Sequence, residues 1–116
     1  MLILPWLLAI VLAACDEFVL SRLLRLEYSE HRLIWEADGK PRAIFWIPPE
    51  CRLGGWYLTY ASGRAGRTLG FKMLFRTPAW AAEDPETLKL VRVHRILMYS
   101  FLALFLAPFV IAALFQ

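Results

Sequence analysis

The stretch Ile96–Phe115, ILMYSFLALFLAPFVIAALF, decides the fold because it carries no charged side chain over its whole length. A helix of this length rises about 30 Å, which matches the hydrocarbon thickness of a bilayer. Pro108 is compatible with this reading, since membrane helices tolerate proline. A chain of 116 residues is too small to bury such a helix in a soluble core. We therefore predict that this stretch is a transmembrane helix.

The segment before this run, EDPETLKLVRVHR, has the features of a helix start. Asp84 is a good N-cap, Pro85 suits the first helical position, and Glu86 favours the positive end of the helix. No glycine or proline then follows before Pro108. We predict one long helix over residues 85–116 that includes the second membrane span.

The N-terminal end of the chain allows two interpretations. Met1–Cys15 is uncharged, but at about 22 Å it is too short to span a bilayer and is typical of a signal peptide. Its last four residues, LAAC, also resemble a lipobox, yet the basic start of a signal peptide is missing. The apolar pattern resumes after Asp16 and Glu17. We therefore favour a first transmembrane helix over residues 1–26.

The distribution of charge predicts the orientation of the two spans. All 13 lysines and arginines lie between Arg22 and Arg95, and all 10 acidic residues lie between Asp16 and Glu86. Basic residues near the ends of spans collect on the cytoplasmic side. We predict a two-pass protein of the bacterial inner membrane, with both termini periplasmic and residues 27–84 cytoplasmic.

The middle of the chain is predicted to form a small β-rich module. Asp38 and Gly39 are a strong hairpin-turn signal between two apolar runs. The glycines between residues 54 and 70 are expected to break any long helix, and Trp56–Tyr60 alternates as a short strand does. Leu69–Phe75 is a further candidate strand. The predicted fold class is therefore a membrane protein of α+β type, with two terminal transmembrane helices joined by a β-rich cytoplasmic module.

Two sets of residues inside the spans are candidates for helix packing and polar contact. Small residues at spacing four let helix backbones approach closely, although alanine is also common in membrane helices. A carboxylate at the depth of Asp16 or Glu17 is costly unless it is paired or hydrated. We predict that one of the two acids is satisfied by the second helix or by a partner subunit. The packing candidates are Ala9, Ala13, Ala103 and Ala107, and the polar candidates on the second helix are Arg95, Tyr99 and Ser100.

A basic and aromatic segment follows the predicted hairpin. SGRAGRTLG lacks the pattern of a phosphate-binding loop. Basic groups mixed with aromatic ones suit a bilayer headgroup region, and for a tethered protein lipid is a better match than nucleic acid. The candidate residues for contact with anionic lipid or a partner are Trp56, Arg64, Arg67, Lys72 and Arg76.

The chemistry-bearing residues form no catalytic or metal-binding pattern. No Ser/His/Asp or Cys/His set is arranged for nucleophilic catalysis, and the two histidines and two cysteines have no metal-ligand spacing. Asp16 and Glu17 are adjacent, so on a helix they point about 100° apart and cannot act as paired carboxylates. We predict no enzymatic activity, no cofactor, no small-molecule substrate and no nucleic acid partner.

The segment EDPETLKLVRVHRILMYSFLALF, together with the layout of the chain, resembles the universal stress protein B family of small bacterial inner-membrane proteins. The resemblance covers about 25 of the 116 residues, with a gap of one residue. It implies a span at each end, a basic cytoplasmic middle and a link to the stress response, and it carries over no catalytic residue. The middle of this chain departs from the family. The matching residues are Asp84, Glu86, Leu88, Lys89, Arg92, Val93 and Arg95.

Two functions are compatible with this sequence. The four tryptophans of residues 27–84 represent more apolar surface than so small a module is expected to bury. This favours a non-catalytic accessory or assembly subunit of a larger bacterial inner-membrane complex. The alternative is a free, stress-related membrane-surface protein that binds anionic lipid.

Overall fold

The protein is described here by a computed structural model that covers residues 3–49 and 55–116, with the backbone alone for residues 55–59. Within these residues the chain is helical, and no β-strand is present. The β-rich module predicted from the sequence is therefore wrong. The helices are α1 (Ile3–Glu30), α2 (Arg32–Ala37), α3 (Gly55–Lys72), α4 (Ala79–Ala82) and α5 (Pro85–Leu114).

The two terminal helices form an antiparallel pair. Both α1 and α5 are long and apolar enough to cross a membrane, which is compatible with a two-pass membrane protein. The start of α5 confirms the predicted cap, because the Asp84 carboxylate accepts a hydrogen bond from the backbone N–H of Glu86 at 3.2 Å. A second bond, from the Thr87 hydroxyl at 2.8 Å, fixes the same carboxylate.

The turn at Asp38 and Gly39 ends a helix and does not form a β-hairpin. The Gly39 N–H donates to the Glu36 carbonyl at 3.2 Å, and the Lys40 N–H donates to the Trp35 carbonyl at 3.0 Å. These two bonds form a Schellman motif at the end of α2, in which glycine takes the left-handed position, here with φ of 91°. An Asp-Gly pair serves both kinds of turn, and the hydrogen bonds of α2 select the helical one.

The glycines of the middle segment lie inside α3 instead of breaking it. A Cβ atom at Gly66 would lie 1.9 Å from the Arg42 carbonyl oxygen, and one at Gly63 would meet the Arg42 guanidinium at 3.0 Å. A Cβ atom at Gly70 would press against Leu20 at 3.3 Å. These glycines therefore let the chain around Arg42 and the helix α1 approach the backbone of α3 closely.

The segment after α2 makes a tight turn against α1 and α3. Ala43 and Trp46 exchange backbone hydrogen bonds of 3.1 and 3.4 Å, an isolated β-bridge with Phe45 at its tip. The Phe45 ring stacks on Phe18 of α1 with 4.2 Å between centroids. This 43–46 turn forms one wall of a groove along α1.

The core lies at the charged end of the helix pair, where all the shorter helices gather. Trp35 and Trp80 are buried in it, and Trp46 is half-buried at its edge. Three of the four tryptophans of residues 27–84 are thus buried or half-buried within the chain. The side chain of the fourth, Trp56, lies outside the described part of the structure. The clustered apolar residues are Leu20, Leu23, Leu24, Ala43, Met73, Trp80, Ala81 and Val91.

Candidate functional site

A buried imidazole and a buried carboxyl group join α1, α3 and α5 at one point. His94 Nδ1 lies 2.6 Å from Asp16 Oδ1, and His94 Nε2 lies 2.7 Å from the carbonyl oxygen of Gly70. The exposed fractions are 2% for His94 and 4% for Asp16. Because Gly70 has no side chain, α1 and α5 can pack close to its backbone, within reach of its carbonyl oxygen. Three separate parts of the sequence therefore meet through this one histidine.

The geometry fixes how many protons the Asp16–His94 pair holds. The Gly70 carbonyl can only accept, so His94 Nε2 must carry a hydrogen. Two lone pairs cannot face each other at 2.6 Å, so one proton lies between Nδ1 and Oδ1. Whether that proton is on the carboxyl or the imidazole, the pair has no net charge. This neutrality lowers the cost of burying both groups.

Two further side chains of α5 hold the chain that leaves α3. Arg95 donates from Nε to the Met73 carbonyl at 2.7 Å and from a terminal nitrogen to the Thr77 hydroxyl at 2.8 Å. The Tyr99 hydroxyl donates to the Leu74 carbonyl. The polar cluster, defined as Asp16, Gly70, Thr77, His94, Arg95 and Tyr99, thus fastens the C-terminal end of α3 to the helix pair.

The polar residues that the sequence suggested as partners of Asp16 or Glu17 make other contacts in the structure. Asp16 contacts His94, whereas the candidates Arg95 and Tyr99 bind backbone carbonyls after α3. Glu17 is half-buried and lines a small cavity of about 60 Å³ together with Arg42 and Arg67. Ser100 is half-buried on α5.

The small residues predicted to pack the two helices fall on different faces. Ala9 is buried and Ala13 is half-buried, so both lie on the inner side of α1. Ala107 is half-buried, whereas Ala103 lies on the outer surface of α5. Near this end of the pair, the Trp6 indole donates to the Phe105 carbonyl at 3.3 Å.

The outer face of α3 carries aromatic and basic side chains in one line. The first four exposed residues along it are separated by four, three and four positions, a spacing that puts them on one side of α3, and the exposed Phe75 follows in the turn directly after the helix. The aromatic members are 63 to 71% exposed. Lys72 and Arg76 flank this line and are exposed, and Trp56 lies in the first turn of α3. We call the line the outer stripe; it consists of Tyr60, Arg64, Arg67, Phe71 and Phe75.

A second buried acid lies outside the polar cluster. Glu27 is fully buried and faces the Asp38 carboxyl group and the Trp80 indole. Neither Glu27 oxygen has a hydrogen-bond partner among the described residues, and the Trp80 Nε1 lacks one as well. Burying polar atoms in this way costs free energy.

This arrangement suits a structural role for the polar cluster. Asp16 and His94 are closed off from solvent, so a substrate could not reach the one imidazole–carboxyl pair found in the described residues. No group of three or more potential metal ligands occurs in the same part of the chain. The cluster instead holds α3 in a fixed orientation, with the outer stripe facing away from the helix pair.

His94 is the residue that the sequence reasoning missed. A usable signal exists: Asp16 directly follows the apolar run Met1–Cys15, and His94 lies two residues before the run Ile96–Phe115. In an antiparallel pair these two boundaries meet, so their polar residues come together. No protein-family model matches this chain, and neither does any curated protein or solved structure.

Proposed function

We propose that this chain is a non-catalytic, two-span protein of the bacterial inner membrane that holds a basic and aromatic surface against anionic lipid. Residues 27–84 face the cytoplasm in this arrangement, and both termini face the periplasm. The exposed residues Arg22, Arg25, Lys89 and Arg92 support this orientation, because they cluster at the inner ends of the two spans.

The observation that supports the proposal most strongly is the level along α5 at which the C-terminal end of the outer stripe is attached. Arg95 and Tyr99 bind the carbonyls of Met73 and Leu74 at the point of α5 where the uncharged run Ile96–Phe115 begins. The neighbouring Phe71 and Phe75 are exposed and contact each other, with ring centroids 5.5 Å apart. In a bilayer these rings reach the boundary between hydrocarbon and headgroups, where aromatic side chains are favoured.

The charges of the stripe point to the kind of lipid. Arg64 and Arg67 lie between the aromatic side chains of Tyr60 and Phe71, and Lys72 and Arg76 lie beside the stripe. Each basic residue near an anionic leaflet contributes about 1 kcal/mol of attraction. An interfacial helix with one aromatic and basic face is typical of binding to a membrane surface.

Spin labels test the depth of the outer stripe. A label at Phe71→Cys, in a chain with Cys15→Ser and Cys51→Ser, is expected to collide more with dissolved oxygen than with a water-soluble nickel chelate. A label at Leu33→Cys is the matched control, because Leu33 is 81% exposed on α2 and lies outside the stripe. Equal access of both labels to the nickel chelate would refute the proposed depth.

Spin-labelled lipids test the preference for anionic headgroups. We expect a larger motionally restricted fraction for phosphatidylglycerol than for phosphatidylcholine around the wild-type protein. Replacing Arg64, Arg67, Lys72 and Arg76 by glutamine should remove most of that difference. The control is the double variant Arg32→Gln and Lys40→Gln, and an equal loss there would contradict a role for the stripe. The control residues lie on and after α2.

A reporter fusion tests the orientation independently. A reporter placed after Gln116 is expected to be active in the periplasm, since the basic residues collect at the opposite ends of the spans. Cytoplasmic activity of the same fusion would contradict the proposed topology without affecting the depth of the outer stripe.

A second candidate function, an accessory or assembly subunit of a larger membrane complex, is favoured by α2. Leu33 is 81% and Ile34 is 41% exposed, and both follow the water-exposed end of α1. Lipid does not account for apolar side chains at that position. A stoichiometric complex in mild detergent that dissociates in Leu33→Ser, but persists in the control Ile44→Ser, would support it; a complex insensitive to Leu33→Ser would not.

A further inference from the structure

A groove of about 640 Å³ runs along α1 on the side covered by the 43–46 turn. Its polar wall carries Arg22 and Arg25, and its apolar wall carries Phe18 and Phe45, which stack on each other. The groove thus combines two cations with an aromatic surface. Its remaining lining residues are Ser21, Leu26, Ser29 and Trp46.

The groove contains a polar atom that lacks a partner. Ser21 is only 7% exposed, and its hydroxyl has no hydrogen-bond partner within the described residues. A buried hydroxyl left without a partner destabilises the protein, because its desolvation is not compensated by a hydrogen bond. Because Ser21 lines the groove, an occupant with hydrogen-bonding atoms would satisfy this hydroxyl.

The two arginines are also available to an occupant. Arg22 and Arg25 are exposed, and neither forms an ion pair with an acidic residue in the part of the chain that the structure covers. On the other side, Arg22 lines a separate cavity together with Glu86 and Lys89. The positive charge at the groove is therefore not cancelled.

The position of the groove along α1 matches a lipid headgroup. Asp16 lies opposite His94, close to the start of the uncharged run of α5. Ser21 and Arg22 follow Asp16 by about 8 Å along the helix axis, and Arg25 by about 14 Å. The headgroup layer begins at the hydrocarbon boundary and extends about 5–8 Å beyond it. A phosphate near Ser21 and Arg22 would thus lie at the outer edge of the headgroup layer, with an acyl chain directed toward Phe18.

We propose that this groove is a discrete binding site for one anionic glycerophospholipid. The lipid phosphate accepts hydrogen bonds from Arg22, Arg25 and the Ser21 hydroxyl, and an acyl chain lies along Phe18 and Phe45. Two cations favour a headgroup with net negative charge over a zwitterionic one. The proposal rests on the two-span arrangement of the proposed function, but it uses none of the residues of the outer stripe.

The test is native mass spectrometry of the full chain released from nanodiscs that contain equal amounts of phosphatidylglycerol and phosphatidylcholine. We expect one retained phosphatidylglycerol per chain. The double variant Arg22→Gln and Arg25→Gln should lower its retention at least about tenfold, because charge-assisted hydrogen bonds are lost. Ser21→Ala should lower it about threefold and, by removing an unsatisfied hydroxyl, should raise the melting temperature of the lipid-free protein.

The matched control is the double variant Arg32→Gln and Lys40→Gln, which removes two exposed cations outside both the groove and the outer stripe and should keep the retained lipid. Equal retention of both lipids, or full retention in the Arg22/Arg25 variant, overturns the proposal. Inorganic phosphate that binds the lipid-free protein and depends on Arg22 and Arg25 also overturns it, since free phosphate is then the ligand. The spin label at Phe71 reports on the proposed function separately, so that the two failures can be told apart.

Discussion

Asp16 and Glu27 lie three turns apart on α1, and both are buried, with exposed fractions of 4% and 0%. A hydrogen bond of 2.6 Å joins Asp16 Oδ1 to His94 Nδ1. Glu27 faces another carboxyl group, that of Asp38, and the Trp80 indole, and neither of its oxygens has a hydrogen-bond partner among the residues that the structure describes. In the same helix, the burial of Asp16 is therefore compensated by a hydrogen bond, whereas the burial of Glu27 is not compensated by a hydrogen bond to any described residue.

This difference shows what burial of an acid does in each region. At Asp16 the neutral pair connects α1 to α5 and, through Gly70, to α3. Glu27 makes no comparable connection to another described residue, so its burial lowers the stability of the fold and must be offset by the surrounding apolar core. A buried acidic side chain therefore does not by itself mark a stabilising site. It stabilises the fold only where hydrogen-bond partners compensate for its burial.

The largest effect is expected from His94→Leu, which removes the partner of the first acid. Asp16 and the Gly70 carbonyl would remain buried without hydrogen bonds. Removing one member of a buried pair costs about 3–5 kcal/mol of the free energy of unfolding. The measurement is unfolding by SDS in maltoside micelles, followed by circular dichroism. His31→Leu is the control, with an expected loss below about 1 kcal/mol; a similar small loss for His94→Leu would remove the contrast.

The double variant Asp16→Leu and His94→Leu sharpens the comparison further. Because both partners are replaced by apolar side chains, the loss should be smaller than for His94→Leu alone. A double-mutant cycle is expected to give a coupling free energy of about 2–3 kcal/mol between the two residues. Strictly additive losses would show that the 2.6 Å contact between Nδ1 and Oδ1 contributes little.

Part of this fold follows from local sequence signals alone. The helix start at Asp84 and the two apolar helices could be predicted, because a cap and an uncharged run act over a few adjacent residues. The turn type at Asp38 and Gly39 could not be predicted in this way, because a glycine with positive φ occurs both at helix ends and in β-hairpin turns. The hydrogen bonds that distinguish the two turns depend on whether residues 32–37 are helical.

The middle of the chain was mispredicted for a tertiary reason. The glycines at 63, 66 and 70 lower helix propensity, but each lies where another part of the chain contacts the α3 backbone. From the local sequence, these glycines only lower the helix propensity. The close approach of Arg42 and Leu20 to the α3 backbone depends on the tertiary structure and is not visible in the local sequence. The partner of Asp16 could not be read from local signals either: the candidates on the second helix were Arg95, Tyr99 and Ser100, whereas the antiparallel packing of α1 and α5 brings His94 to Asp16.

A stabilising change is expected at the second acid. Glu27→Gln keeps the size of the side chain and removes an ionisable group from a fully buried position, where neither carboxyl oxygen has a hydrogen-bond partner among the described residues. We expect the free energy of unfolding to rise by about 1 kcal/mol in the same SDS titration. The exposed Glu30 provides the control, since Glu30→Gln should change the value by less than about 0.5 kcal/mol. A loss of stability in Glu27→Gln would mean that the carboxyl group is compensated after all.

The smallest effect is expected at Glu17, the neighbour of Asp16. The sequence groups these two acids, but Glu17 points elsewhere on α1, is half-buried, and shares a cavity with Arg42 and Arg67. Partly exposed charges of this kind contribute about 0–1 kcal/mol because water screens them. Glu17→Gln should therefore lower the free energy of unfolding by less than about 1 kcal/mol, several times less than His94→Leu. If Glu17→Gln were as damaging as His94→Leu, the contrast between the adjacent acids would be lost, and the stabilising contact of this region would have to include Glu17.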